Sequence, residues 1–179
     1  MPNTQHPLPP PLLVRRHEII YKIRLSTLYH RKRERFFDIV DKAVSGLVLT
    51  TATAAVTSLF QGVDGAEKSL AAITACLSLI PVVLTPAQKA RHHNQLSQRY
   101  CQLLATCTQA GEDWTEAQCN QFSAQLVEIS ASEPTPLTAL VADCQNELAI
   151  SYNEGPAATL KWHHHLLKHL LDVRPAPTP

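Results

Sequence analysis

Two stretches of the chain are long enough and apolar enough to dictate what must surround them. The first, AVSGLVLTTATAAVTSLFQGV from Ala43 to Val63, carries no charge between Lys42 and Asp64. The second, SLAAITACLSLIPVVLTPAQ from Ser69 to Gln88, is similar in length and also uncharged. At about 1.5 Å per helical residue, about 20 residues cover roughly 30 Å, the thickness of a bilayer's hydrocarbon core. Only GVDGAEK, Gly62 to Lys68, lies between them, and its glycines suit a tight reversal. A helical hairpin over residues 43–88 is expected.

Charge separates the outer flanks from the turn. Lys22, Arg24, Arg31, Lys32, Arg33, Arg35 and Lys42 precede the first run, and Lys89, Arg91 and Arg99 follow the second. The turn offers Asp64, Glu67 and only Lys68. By the positive-inside rule both termini are cytoplasmic and the turn is outside. A soluble hairpin has no reason to sort its charges so. The rival reading is a soluble all-helical interaction module with both runs inside a bundle, which needs more apolar partner surface than the remaining chain readily supplies.

The totals narrow the function classes. A net charge of +1 lacks the strongly basic footprint of a nucleic-acid-binding domain. Five cysteines with no CxxC pair argue against a secreted disulfide framework; four fall on helical apolar faces, which fits a reducing cytoplasm. There is no GxSxG, P-loop, GxGxxG or HExxH, so neither an enzyme nor a cofactor is expected. MPNTQHPLPPPLL lacks the layout of a signal peptide, and residues 1–12 are read as a disordered proline-rich leader.

Periodicity supplies the other helices. Residues 13–42 form a basic amphipathic helix, with Leu13, Ile20, Ile23, Leu28 and Phe36 on its apolar side, running directly into the first span. In the helical region 89–154, His93, Leu96, Tyr100, Leu103 and Cys107 recur at steps of three and four, as in a coiled-coil seam. Thr115 with Gln118 suggests a capping box ahead of Cys119, Phe122, Leu126 and Ile129. Thr135 and Pro136 suggest the start of a third face through Leu137, Leu140, Cys144, Leu148 and Tyr152. A terminal amphipathic helix is expected over 155–173, followed by a tail at 174–179.

Within the spans, Gly46, Thr50, Thr53 and Thr57 share one helical side, and Ala71, Thr74, Ser78, Pro81 and Thr85 repeat the spacing. Small and hydroxylic stripes serve either close helix packing or an oligomeric pore lined by hydroxyls. Pro81 kinks the second span or acts as a gating hinge. Asp38 and Asp41 either pair with nearby bases or ring a cytoplasmic vestibule in an oligomer. Arg31, Lys32, Arg33 and Arg35 are candidates for the cytoplasmic interface, for anionic lipid, or for an anionic trigger such as a nucleotide or nucleic acid, which a protein partner can deliver. His92, His93 and WHHHLLKHLL invite a metal hypothesis, in which His165 and His169 share a face. With no matching cysteine or carboxylate at ligand spacing, no metal site is expected.

The basic helix YKIRLSTLYHRKRERFFDIVDKAVSG, the two-span hairpin and the following ARHHNQLSQRYCQLLATC together resemble the SLATT domains. These are two-helix membrane effectors of bacterial nucleotide-signalling and antiphage systems, and the resemblance covers roughly Leu12 to Ile129. It implies a homo-oligomeric effector of the bacterial inner membrane that permeabilises or depolarises the membrane of an infected cell, as in abortive infection. It carries no catalytic residues. The reading is therefore an all-α membrane protein: a transmembrane hairpin preceded by a basic helix, followed by a cytoplasmic helical bundle, with lipid and further copies of itself as partners. A membrane-anchored adaptor that never conducts has the same pattern.

Overall fold

Between Leu12 and Ser45 the chain has neither glycine nor proline, so nothing in its backbone interrupts a helix. In the computed structural model α1 runs from Pro10 to Gln61, 52 residues that join the basic segment to the first apolar run. Pro10 and Pro11 fall in its first turn, where no intrahelical N–H bond is lost. The structure describes residues 10–61, 66–174 and 176–177, with backbone alone at 10, 58–61, 66–68, 163, 165, 166, 176 and 177. Next come α2 (Ala66–Leu84), α3 (Pro86–Gln109), α4 (Glu116–Ser130), α5 (Thr138–Ser151), β1 (Ala158–Thr159), α6 (Trp162–Leu167) and β2 (Ala176–Pro177). The two-residue strands pair antiparallel, Ala158 opposite Pro177. Apart from that pair, every regular element among the described residues is a helix.

The chain divides into two compact units, one holding the residues up to Lys32 and from Asn94 onward, the other Arg33–His93. In the first, Ile19 and Ile23 of α1 join Leu96, Tyr100, Leu103 and Cys107 of α3, Trp114, and Cys119, Phe122 and Ile129 of α4 in one core. The expected α3 and α4 faces are thus the buried ones. On α1 the face shifts: Leu13 is 45% exposed, while Leu12 packs against the core. Helical geometry explains this, since at about 100° per residue Leu12 returns to within roughly 20° of Ile23's direction and Leu13 stands about 80° away.

Helix ends show where local chemistry decides and where it does not. The Thr115 hydroxyl accepts the Gln118 N–H at 3.2 Å and the Gln118 carboxamide accepts the Thr115 N–H at 2.8 Å, completing the expected capping box. The start read at Thr135 and Pro136 is not used. Helix α5 begins at Thr138, and its N-terminal N–H groups are taken by distant oxygens: Leu137 donates to the Tyr29 hydroxyl at 3.1 Å and Thr138 to Asp172 Oδ1 at 2.8 Å. Leu140 and Cys144 form a second buried cluster with Tyr29.

The terminal helix read over 155–173 is likewise shortened, to Trp162–Leu167. Asn146 takes both backbone groups of Ala158, accepting its N–H at 2.9 Å and donating to its carbonyl at 2.7 Å, as a neighbouring strand would.

In the second unit α2 passes through Pro81 as one helix and stops at Leu84. Thr85 has a φ of 45°, and its carbonyl accepts the Lys89 N–H at 3.1 Å to start α3. Pro86 is the cause, because a proline disfavours the α conformation in the residue before it. The second run, read to Gln88, therefore breaks at Thr85. Along the most apolar 18 residues of α1 none is buried, and along those of the second run 6% are.

The core of the first unit predicts a specific loss on truncation. Phe122, whose ring centroid lies 4.7 Å from that of Trp114, is 3% exposed. Phe122→Ala is expected to cost about 3–5 kcal/mol, read as an earlier urea midpoint of Trp114 fluorescence in detergent.

Candidate functional site

The hydroxyl stripes fall on exposed or half-buried helix surface, and five of their hydroxyls are already bonded. Thr50 donates to the Gly46 carbonyl at 2.8 Å, Thr53 to Leu49 at 2.8 Å and Thr57 to Thr53 at 2.9 Å. On α2, Thr74 donates to Leu70 at 2.8 Å and Ser78 to Ala75 at 2.9 Å. A hydroxyl turned back onto its own helix needs neither water nor a neighbouring chain to be satisfied. Gly46 has nothing within 4 Å of where a Cβ would stand, so no close helix contact uses it among the described residues. Pro81 sits half-buried inside α2, and Thr85, read as the last member of its stripe, stands instead at the helix junction.

Around this polar stripe the aliphatic side chains stay open. Leu47, Leu49 and Val56 on α1 and Ile73, Leu79, Val82, Val83 and Leu84 on α2 are between 48% and 75% exposed. So many exposed aliphatic side chains on two helices are rare on a soluble monomer and mark a surface that meets lipid or protein. At the start of this unit Arg33 lies over the rings of Phe36 and Phe37, at 5.9 and 4.5 Å. Phe37 stacks on His93 at 5.7 Å, with Lys89 5.6 Å from its centroid. Arg35 is exposed. Asp38 pairs with Lys42 at 2.7 Å, one of the two roles expected of it, and Asp41 is half-buried with no ion pair among the described residues.

In the first unit the other two basic candidates part ways. Lys32 is committed to Asp143 at 2.7 Å and Glu147 at 2.6 Å. Arg31 is exposed, its Nη2 3.4 Å from Cys101 Sγ. Asp143 also takes Lys168 at 2.8 Å. Burial pushes the Asp143 carboxyl up, but the bonds from Lys168 and Lys32 outweigh it and hold the group below the usual carboxylate range. Lys32 is held above its ordinary value: burial pulls it down, and its bonds to Asp143 and Glu147 more than reverse this.

A buried polar group that pattern reading passes over lies at the centre of this unit. His30 is fully buried, with Nε2 3.0 Å from Glu133 Oε1 and its ring stacked 5.9 Å from Tyr100. The Tyr100 hydroxyl donates to the same Glu133 oxygen. Burial raises the Glu133 carboxyl, while the His30 and Tyr100 bonds lower it further than burial lifts it. Burial, and then the bond to Glu133, push the Tyr100 phenol up to about 12. The one available signal was spacing, since His30 stands seven residues after Ile23 on the inward stripe of α1.

Buried thiols complete the inventory. Burial pushes Cys107 up to about 11 and Cys144 up to about 12, so both are unreactive as nucleophiles near neutral pH. No group of three or more metal-ligating side chains converges among the described residues. His164 Nδ1 accepts the Lys161 N–H at 3.1 Å, a helix-capping role, and the side chains of His163 and His165 lie outside the described residues. With this geometry in hand, comparisons with protein-family models, curated proteins and solved structures return no match.

The Glu133 contacts carry a pH dependence with a definite sign. Because the folded carboxyl sits below its ordinary value of 4.5, its stabilisation is complete above that pH and is lost as pH falls through the folded value. Glu133→Gln is expected to flatten this acid limb of the thermal-melting profile. A double-mutant cycle with His30→Gln is expected to show coupling of about 0.5–3 kcal/mol between the two side chains. Additive losses would mean that they act separately.

Proposed function

We propose that this chain is a membrane-embedded effector in which the apolar parts of α1 and α2 cross the bilayer and copies of the chain assemble there to permeabilise it on activation. One observation carries the membrane part: two successive helices leave many of their aliphatic side chains exposed, and along the most apolar 18 residues of each run none of the first and 6% of the second are buried. A soluble bundle would hold these residues inside. Exposing them to water would cost roughly 25 cal/mol for each Å² of apolar surface. The sorting of basic residues to the outer flanks supports cytoplasmic termini, and the resemblance to the SLATT effectors supports an inner-membrane role in antiphage defence.

Assembly is supported by the open stripe through Gly46, Thr50, Thr53 and Thr57, where a second helix could approach closely. The hydroxyls' bonds to their own carbonyls favour a second reading on the same footing, a non-conducting membrane anchor whose packed helices in the first unit recruit a partner. Conduction separates the two.

Two measurements test the proposal. Cys76 is exposed on α2; in intact membranes it should resist a charged maleimide that labels it after solubilisation, and equal labelling in both would refute the span. Purified protein in liposomes should release a trapped dye, and Thr53→Lys should change that release by several-fold if the stripe faces a pore. Tight liposomes across all conditions would leave the anchor reading.

A further inference from the structure

The first unit contains a cleft whose lining has the composition of a ligand site. It lies between α1, α3 and α5 and encloses about 310 Å³, at the small end of the roughly 300–1,000 Å³ range of ligand pockets. Leu28, Leu104 and Leu148, all half-buried, line it together with Cys101. Two hydroxyls reach the lining, but neither is offered to the interior: Thr27 donates to the Ile23 carbonyl at 2.8 Å and Ser151 to that of Leu148 at 2.6 Å. The interior is therefore aliphatic.

Its charges are arranged differently. Arg24 and Arg31 stand seven residues apart on α1, about 10 Å along the helix, and both line the cleft. Arg24 donates to the Tyr152 hydroxyl and Arg31 reaches the Cys101 sulfur, and neither has a carboxylate partner among the described residues. Glu147 lines the same cleft, but Lys32 holds its carboxylate at 2.6 Å. Two guanidinium groups without counter-charge beside an aliphatic cleft fit a molecule with one anionic end and one apolar end. A nucleotide fits less well, because the lining has no aromatic ring on which a base could stack.

We propose that this cleft binds a small anionic amphiphile, an aliphatic chain ending in a carboxylate or phosphate, with the head group on Arg24 or Arg31 and the chain against Leu28, Leu104 and Leu148. The site belongs to the first unit alone and holds whether or not the apolar helices conduct.

Cys101 gives a readout at the site itself. With the full chain in detergent, the rate of Cys101 alkylation by iodoacetamide is followed by peptide mass spectrometry, using hexyl phosphate, hexan-1-ol and adenosine monophosphate as probes. Hexyl phosphate is expected to slow alkylation saturably, and about tenfold more hexan-1-ol should be needed for the same protection, as loss of a charge-assisted bond implies. Arg24→Gln or Arg31→Gln should remove most of that difference, Arg24→Lys should retain part of it, and Leu104→Trp should abolish protection by filling the cleft. The buried Cys144 must stay unreactive for a variant to count as folded; if the arginine variants fail that control, the wild-type comparison of phosphate with alcohol decides alone. Equal protection by hexan-1-ol, no protection by hexyl phosphate, or stronger protection by adenosine monophosphate would each overturn the proposal.

Discussion

A carboxylate partly withdrawn from water needs donors to offset the lost hydration, and Glu133, half-buried against the fully buried His30, is such a carboxylate. It lies in the short connection between α4 and α5 and is reached by His30 from α1 and by Tyr100 from α3. One oxygen thus receives bonds from two helices far apart in sequence. The apolar contacts of Ile23, Leu96 and Phe122 are non-directional and tolerate small slides of one helix along another. The Glu133 bonds do not, and they fix where the connection sits, and with it the position from which α5 starts.

A second charge set holds the first turns of α5 itself. Asp143 is clasped between Lys32 of α1 and Lys168 beyond α6, while Asp172 takes the N–H of Thr138. The C-terminal segment is therefore a working part of the helix packing rather than an appendage. Its bonds explain why the last part of the chain is only briefly helical: the backbone at Ala158 is claimed by Asn146 before a helix can include it.

The parts of the fold legible in the sequence are those set by neighbours in the chain. The α3 seam through Leu96, Tyr100, Leu103 and Cys107 follows from a repeat of three and four, and the Thr115 capping box from residues three apart. The length of the two apolar runs is legible for the same reason. What was not legible depends on residues that meet only after folding. His30 sits in a run of arginines and lysines and reads as one more basic group until Glu133, more than a hundred positions later, is placed beside it. Thr135 looks like a cap, yet the cap comes from Asp172. Among the candidate site residues, the stripe is legible by spacing, but that its hydroxyls bond to their own helix is a matter of rotamer, on which spacing is silent. Lys32 and Arg31 are adjacent and chemically similar, and only the approach of α5 separates a committed charge from an available one.

The break at Thr85 has a consequence for the kind of membrane such a helix would suit. Threonine at a φ of 45° is uncomfortable, and the Pro86 ring keeps α2 from continuing into α3. The end of α2 is consequently fixed by the backbone and cannot slide to follow its surroundings. Its uncharged part, residues 69–84, measures about 24 Å, short of the roughly 30 Å of a typical hydrocarbon core. A helix whose stop is set in this way behaves as a gauge: in a thicker membrane it has no spare turns to recruit, so the lipid must thin or the helices must gather, and the cost of that mismatch grows with every added ångström.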